Sequence, residues 1–224
     1  VGHGRAMPGA RADAVWRAVS ERARRADLVA LLDRDEVFHE GYFAQFVSDA
    51  GVVAREGTLS LAQAMVVREK HLGERAAHMR QALASATPSE EYRRETASGD
   101  QLGSELEADP EGRPYDVALT VLRGPIEDVT PFLVTGAELE PRPAELAAAL
   151  RHWHKAFGAL PRHWDGHSLE LEVARPPRAL AALRELAWQF YLMCPSPPGG
   201  TFRDNERADE LLVRLERRRW ICFW

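Results

Sequence analysis

The stretch from Pro143 to Val173 constrains the fold more than any other, because its hydrophobic period changes in the middle. Leu146, Leu150, Trp153 and Phe157 recur at i, i+4, i+7 and i+11, which is one apolar stripe along a helix. Pro143 opens that helix and Gly158 stops it. Immediately afterwards ALPRHW and HSLELEVA alternate in period two on either side of Asp165 and Gly166, a dipeptide suited to the positive φ angles of a tight hairpin turn. With those two as the loop residues, Trp164 pairs with His167, His163 with Ser168, and Arg162 with Leu169. Leu160, Trp164, Leu169, Leu171 and Val173 then share one face, and Ala159, Pro161, His163, Glu170 and Glu172 the other.

The rest of the chain divides around a change of texture. From Arg11 to Leu32, apolar Val15, Val19, Leu28, Leu31 and Leu32 predict one or two helices. The segment from Asp35 to Gly51 places Phe38, Phe43, Phe46 and Val47 near helical spacing, and Leu59 to Ala86 predicts a long alanine-rich helix broken near Gly73. Residues 9–87 are therefore expected to be an all-helical module. Residues 88–114 lose periodicity and gain Pro, Gly, Ser and charge, the composition of a linker or exposed loop. Residues 115–224 are expected to be an α+β domain around the central hairpin. In it YDVALTVLRG reads as a strand, VTPFLV as a further extended piece, and WICFW as a closing strand. A helix after Pro177 turns Leu180, Leu183, Ala187, Phe190 and Tyr191 inward, and another from Asp204 to Arg218 does the same with Leu211, Leu212 and Leu215. Helices and strands alternate without the run of crossovers that a doubly wound sheet needs, so the fold class is α+β.

Composition limits the partners. A net charge of -5 leaves neither a polybasic membrane anchor nor a field suited to indiscriminate nucleic-acid binding. No apolar run approaches the roughly 18 to 20 residues of a membrane helix, and VGHGRAMPGA lacks the pattern of a signal peptide. Residues 1–8 are expected to stand outside the fold. Cys194 and Cys222, the two cysteines of the chain, are not a disulfide framework and suit a reducing cytoplasm.

Residues 151 to 167 contain four histidines, and the periods separate them. His152 and His154 stand about 200° apart on a helix, on either flank of Trp153, so they do not chelate together. His163 and His167 point to opposite faces of the hairpin. A zinc ion needs three or four convergent ligands, and this arrangement offers at most a pair such as His163 with Glu170. No metal and no cofactor is expected. Cys194 sits where a helix C-terminus disfavours the thiolate and reads as a structural thiol. Arg217, Arg218 and Arg219 complement a helix C-terminus and solvate it. His39 and Glu40 lack the second histidine of a metalloprotease, and there is no phosphate-binding glycine loop and no Gly-x-Ser-x-Gly elbow.

Two stretches carry family resemblances. ELAAALRHWHKAFGA, LELEVARPP, LAWQFYLMCP and WICFW, with Trp153, Gly158, Ala159 and the Arg175, Pro176, Pro177 step, resemble the bacterial domain-of-unknown-function family 4253 over about half the chain. Ser196 stands where that family usually has aspartate, and the chain stops at Trp224 where the family's aromatic run ends in aspartate. The resemblance implies an α+β fold and brings no activity. EGYFAQFVSDAG, through Gly41, Phe43, Gln45 and Phe46, resembles the helical bacterial family that includes a DNA-mimic protein. Tyr42 and Asp49 depart from that family's pattern. Mimicry needs a dense carboxylate surface, which residues 1–109 do not supply with 18 acidic and 14 basic residues.

These features predict a bacterial cytoplasmic, non-enzymatic protein-binding module of the immunity or antitoxin type. Its partner is another protein, bound through His163, Trp164, His167 and Trp224. The rival expectations are a hydrolase or transferase using His154 or His163 with a nearby carboxylate, and a nucleic-acid-linked regulator built on the helical half.

Overall fold

A computed structural model describes residues 2–3, 7–23, 28–34, 59–90, 92–93, 116–123, 141–164, 168–195 and 204–223. In chain order the elements are β1 (Gly2–His3), β2 (Met7–Pro8), α1 (Gly9–Ala23), β3 (Leu28–Arg34), α2 (Leu61–Leu72), α3 (Glu74–Ser85), β4 (Asp116–Arg123), α4 (Pro143–Phe157), β5 (Ala159–Trp164), β6 (Ser168–Val173), α5 (Leu180–Met193), α6 (Asp204–Leu215) and β7 (Arg219–Phe223). The strands form one sheet in the order β1, β4, β3, β5, β6, β7, with β2 also against β4. The α+β class holds, with helices in the N-terminal part and helices with a mixed sheet in the C-terminal part.

Two N-terminal expectations are corrected. Leu28–Arg34 is a strand rather than helix, pairing antiparallel with β4 over its length and parallel with β5 at Leu32 and His163. Leu28, Leu31 and Leu32 fit a helical stripe and a buried strand equally well, and partners distant in sequence decide between them. Residues 1–8 do not all stand outside the fold, because Gly2–His3 and Met7–Pro8 both pair with β4. Strands of two residues are too short to show any period. The aromatic segment 35–51, with His39 and Glu40, lies outside the described residues, as do VTPFLV and most of the 88–114 segment.

The helices follow their local signals. At the start of α2 the Ser60 hydroxyl accepts from the Gln63 backbone, and the Gln63 side chain accepts from the Ser60 backbone, a reciprocal cap. Gly73, at φ 54°, separates α2 from α3. On α4, Pro143 occupies the first turn, and Gly158 closes the helix in the left-handed region at φ 67° and ψ 29°. A Cβ at Gly158 would lie 2.9 Å from that of Ala174, so the junction to β5 requires glycine twice over.

The main core lies between the sheet and the helices α2 to α6. Leu146, Leu150 and Trp153 of α4 meet Leu169, Leu171 and Val173 of β6, with Leu183, Ala187 and Phe190 of α5. Trp153 is fully buried, stacked on Phe190 at 5.3 Å and edge-on to Trp220 of β7 at 6.3 Å. Leu180, expected inward, is instead exposed at the first position of α5. On the other side of the sheet, Trp16 of α1 covers Ala30 and Leu32, and its indole donates to the Ala30 carbonyl at 2.8 Å.

Cys194 and Cys222 form a disulfide, which corrects the expectation of two unbridged thiols and removes its support for a reducing compartment. They lie 28 positions apart in sequence, but α6 turns the chain back so that β7 passes the end of α5. Among the described residues, no helix is long and apolar enough to cross a membrane.

Candidate functional site

At one end of the sheet β5, β6 and β7 run side by side. Period two on β6 sends Leu169, Leu171 and Val173 to the core and leaves Glu170 and Glu172 on the opposite face. The hairpin register differs from the expected one: Trp164 pairs with Leu169 and His163 with Glu170, so residues 165–168 intervene between the first paired residues. A bulge between Pro161 and His163 then gives β5 an extra residue, Arg162. Beyond it Ala159 pairs with Val173 and Leu160 with Glu172, so these two exchange the faces expected for them. A single inserted residue shifts the pairing by one and so inverts the sides.

The bulge aims Arg162 at Glu170. Its Nη1 donates to Glu170 Oε2 at 2.5 Å, and Arg219 of β7 brings Nε to 3.6 Å from Oε1 of the same carboxylate. Arg162 and Glu170 are buried, and His163 beside them is 6% exposed. One carboxylate thus ties three adjacent strands through two guanidinium groups, a polar fastening on the face away from the main core. At the margin of this face, Arg17 of α1 approaches Glu172 of β6 at 3.5 Å. Arg219 is a correction to the solvating arginine run, since α6 ends at Leu215 and Arg219 already belongs to β7.

Of the expected binding residues, His163 is buried rather than presented at a rim. The register at the hairpin tip pairs it with Glu170, within the sheet. Trp164 ends β5 with its backbone paired to Leu169, and its side chain lies outside the described residues, as do His167 and Trp224. The histidines of α4 part as their spacing requires: His152 is exposed beside Phe157, and His154 Nδ1 lies 3.0 Å from the Ala159 carbonyl, closing the turn into β5. Among the described residues, no group of three or more His, Cys, Asp or Glu side chains could hold a metal ion.

A second buried ion pair went unread in the sequence. Arg68 of α2 donates from Nε to the Leu192 carbonyl at 2.8 Å and lies 4.0 Å from Glu145 of α4. Burial lowers the Arg68 pKa, opposed by the Glu145 charge and reinforced by Arg142. Glu145 is also held by Arg142, through its backbone at 3.0 Å and Nε at 2.7 Å. Arginine and glutamate at helical spacing normally signal a solvated face, so only the crossing of α2 over α4 and α5 could reveal this pair. On the surface, Arg93 grips Glu216 at 2.8 and 3.0 Å, and these hydrogen bonds, with those to Glu90, raise the Arg93 pKa.

Residues 117–224 match the family described as Domain of unknown function (DUF4253), over the half of the chain whose motifs carry that resemblance. No curated protein and no solved structure matches the chain. Nothing matched supports the resemblance of the N-terminal half, and its residues 41–49 lie outside the described residues.

Proposed function

We propose that the chain is a non-enzymatic protein-binding module of the immunity or antitoxin type, docking a protein partner along β7 and the tip of the β5–β6 hairpin. One observation carries this reading. Among the described residues β7 is hydrogen-bonded on one side only, to β6, and so stands at the edge of the sheet. An edge strand presents a row of backbone donors and acceptors, and proteins commonly blunt such edges with lysine or proline. The sequence RWICF of β7 has neither, its one charge being Arg219 at the start of the strand, paired with Glu170. An extended segment of a partner can add to such an edge, its backbone supplying affinity and its side chains specificity. Trp224 follows β7 in sequence, Trp164 and His167 bracket the hairpin tip, and Ser168 pairs with Phe223, so these three are the proposed contacts: Trp164, His167 and Trp224. His163, being buried, supports the strand from within.

Hydrogen exchange on the chain mixed with the product of an adjacent gene provides the test. Protection that appears at Trp220–Phe223 and in the hairpin tip is the expected result. Protection confined to α1 or α3, or a measurable turnover of substrate by the chain alone, would replace this reading.

A further inference from the structure

We propose that the Cys194–Cys222 bridge is a redox-controlled clamp on β7, closed as a disulfide and opened by a dithiol reductant. The chain has two cysteines and both enter the bridge. Cys194 caps the end of α5, its N–H bonded to the Phe190 carbonyl at 2.8 Å, while Cys222 lies on the edge strand opposite Leu169. Their Cα atoms are 5.0 Å apart, within the normal span of a disulfide. The bridge therefore joins a helix end to the strand that is outermost among the described residues.

β7 has a second anchor, independent of sulfur. Trp220, two residues earlier on the same face, packs edge-on against Trp153, Phe157 and Phe190, and its indole donates to the Leu215 and Arg217 carbonyls at 3.1 Å each. Opening the bridge thus leaves the base of β7 seated and removes the covalent tie of its far end, where Ile221, Cys222 and Phe223 keep only their ladder with Glu170, Leu169 and Ser168 and the packing around Cys222. Both residues are buried, Cys222 completely and Cys194 at 7% exposure, so attack is assigned to the Cys194 sulfur when this end of the chain opens locally. One thiolate of the reductant forms a mixed disulfide there and expels the Cys222 thiolate, which takes up a proton. The second thiol then attacks the reductant's own sulfur in that mixed disulfide and expels the Cys194 thiolate, which is protonated in turn. The reductant departs as a cyclic disulfide, and two protein thiols replace one bridge.

The test uses the full chain with no partner, so it stands apart from the docking reading. Air-oxidised protein should yield no alkylated thiol under denaturing conditions, and two after treatment with dithiothreitol. By amide exchange, Ile221–Phe223 should open about tenfold faster or more after reduction, while α4 changes by less than about twofold, as a local opening requires. The variant Cys194→Ser should show the same fast exchange without reductant. Alkylatable thiols in the oxidised protein, unchanged exchange at β7, or equal acceleration throughout α4 would each overturn the clamp.

Discussion

The two faces of β5, β6 and β7 are held by opposite kinds of interaction. Toward the helices, Leu169, Leu171, Val173 and Trp220 meet Trp153 and Phe190 in one buried apolar layer. On the reverse, Arg162, Glu170 and Arg219 form an ion chain with His163 beside it. Apolar burial is non-directional and tolerates small shifts, whereas the hydrogen bond from Arg162 to Glu170 is directional and is made in the bulged register. The difference teaches where each face acts: the apolar face carries the burial that stabilises the sheet, and the charged face carries the directional contacts that accompany the bulged alignment of β5.

Truncating the apolar face should do the most damage. Trp153→Ala, at a fully buried position, is expected to cost about 3 to 5 kcal/mol in chemical denaturation. A loss below about 1 kcal/mol would mean that α4 is turned the other way. The charged face should come next. Glu170→Gln keeps the shape but loses the charge facing Arg162 and Arg219, and about 1.5 to 3 kcal/mol should disappear, the worth of hydrogen bonds to a charged group. If its cross-strand contacts by NMR stay in the parent register and stability is unchanged, the ion chain does not select the alignment.

The junction between the faces is more local. Gly158→Ala forces a left-handed φ on a residue with a Cβ and crowds Ala174, so about 1 to 2 kcal/mol should be lost. An equal melting temperature for that variant would show that the helix end can re-form without glycine. Smallest is Arg17→Ala, whose side chain is 59% exposed in its pair with Glu172. Its effect should stay below about 1 kcal/mol and fade in high salt. A larger, salt-insensitive loss would extend the buried ion chain out to α1.

The α4 stripe, its proline start and glycine stop, the hairpin, β4, the helix pair around Gly73 and the closing strand were all legible in the chain. Each rests on neighbours within a few residues, where periodicity and the special φ angles of glycine and proline act directly. The strand at Leu28–Arg34, the two short pairings of the N-terminus, the bulge at Arg162, the burial of Arg68 with Glu145 and the union of Cys194 with Cys222 were not. Each depends on a partner far away in sequence: β4 for β3, Glu170 and β7 for Arg162, the crossing helices for Arg68, and the return of β7 past α5 for the cysteines. Local pattern dictates which faces must leave water, but which surfaces meet there, and so which charges and sulfurs come within reach, is decided only when the whole chain packs.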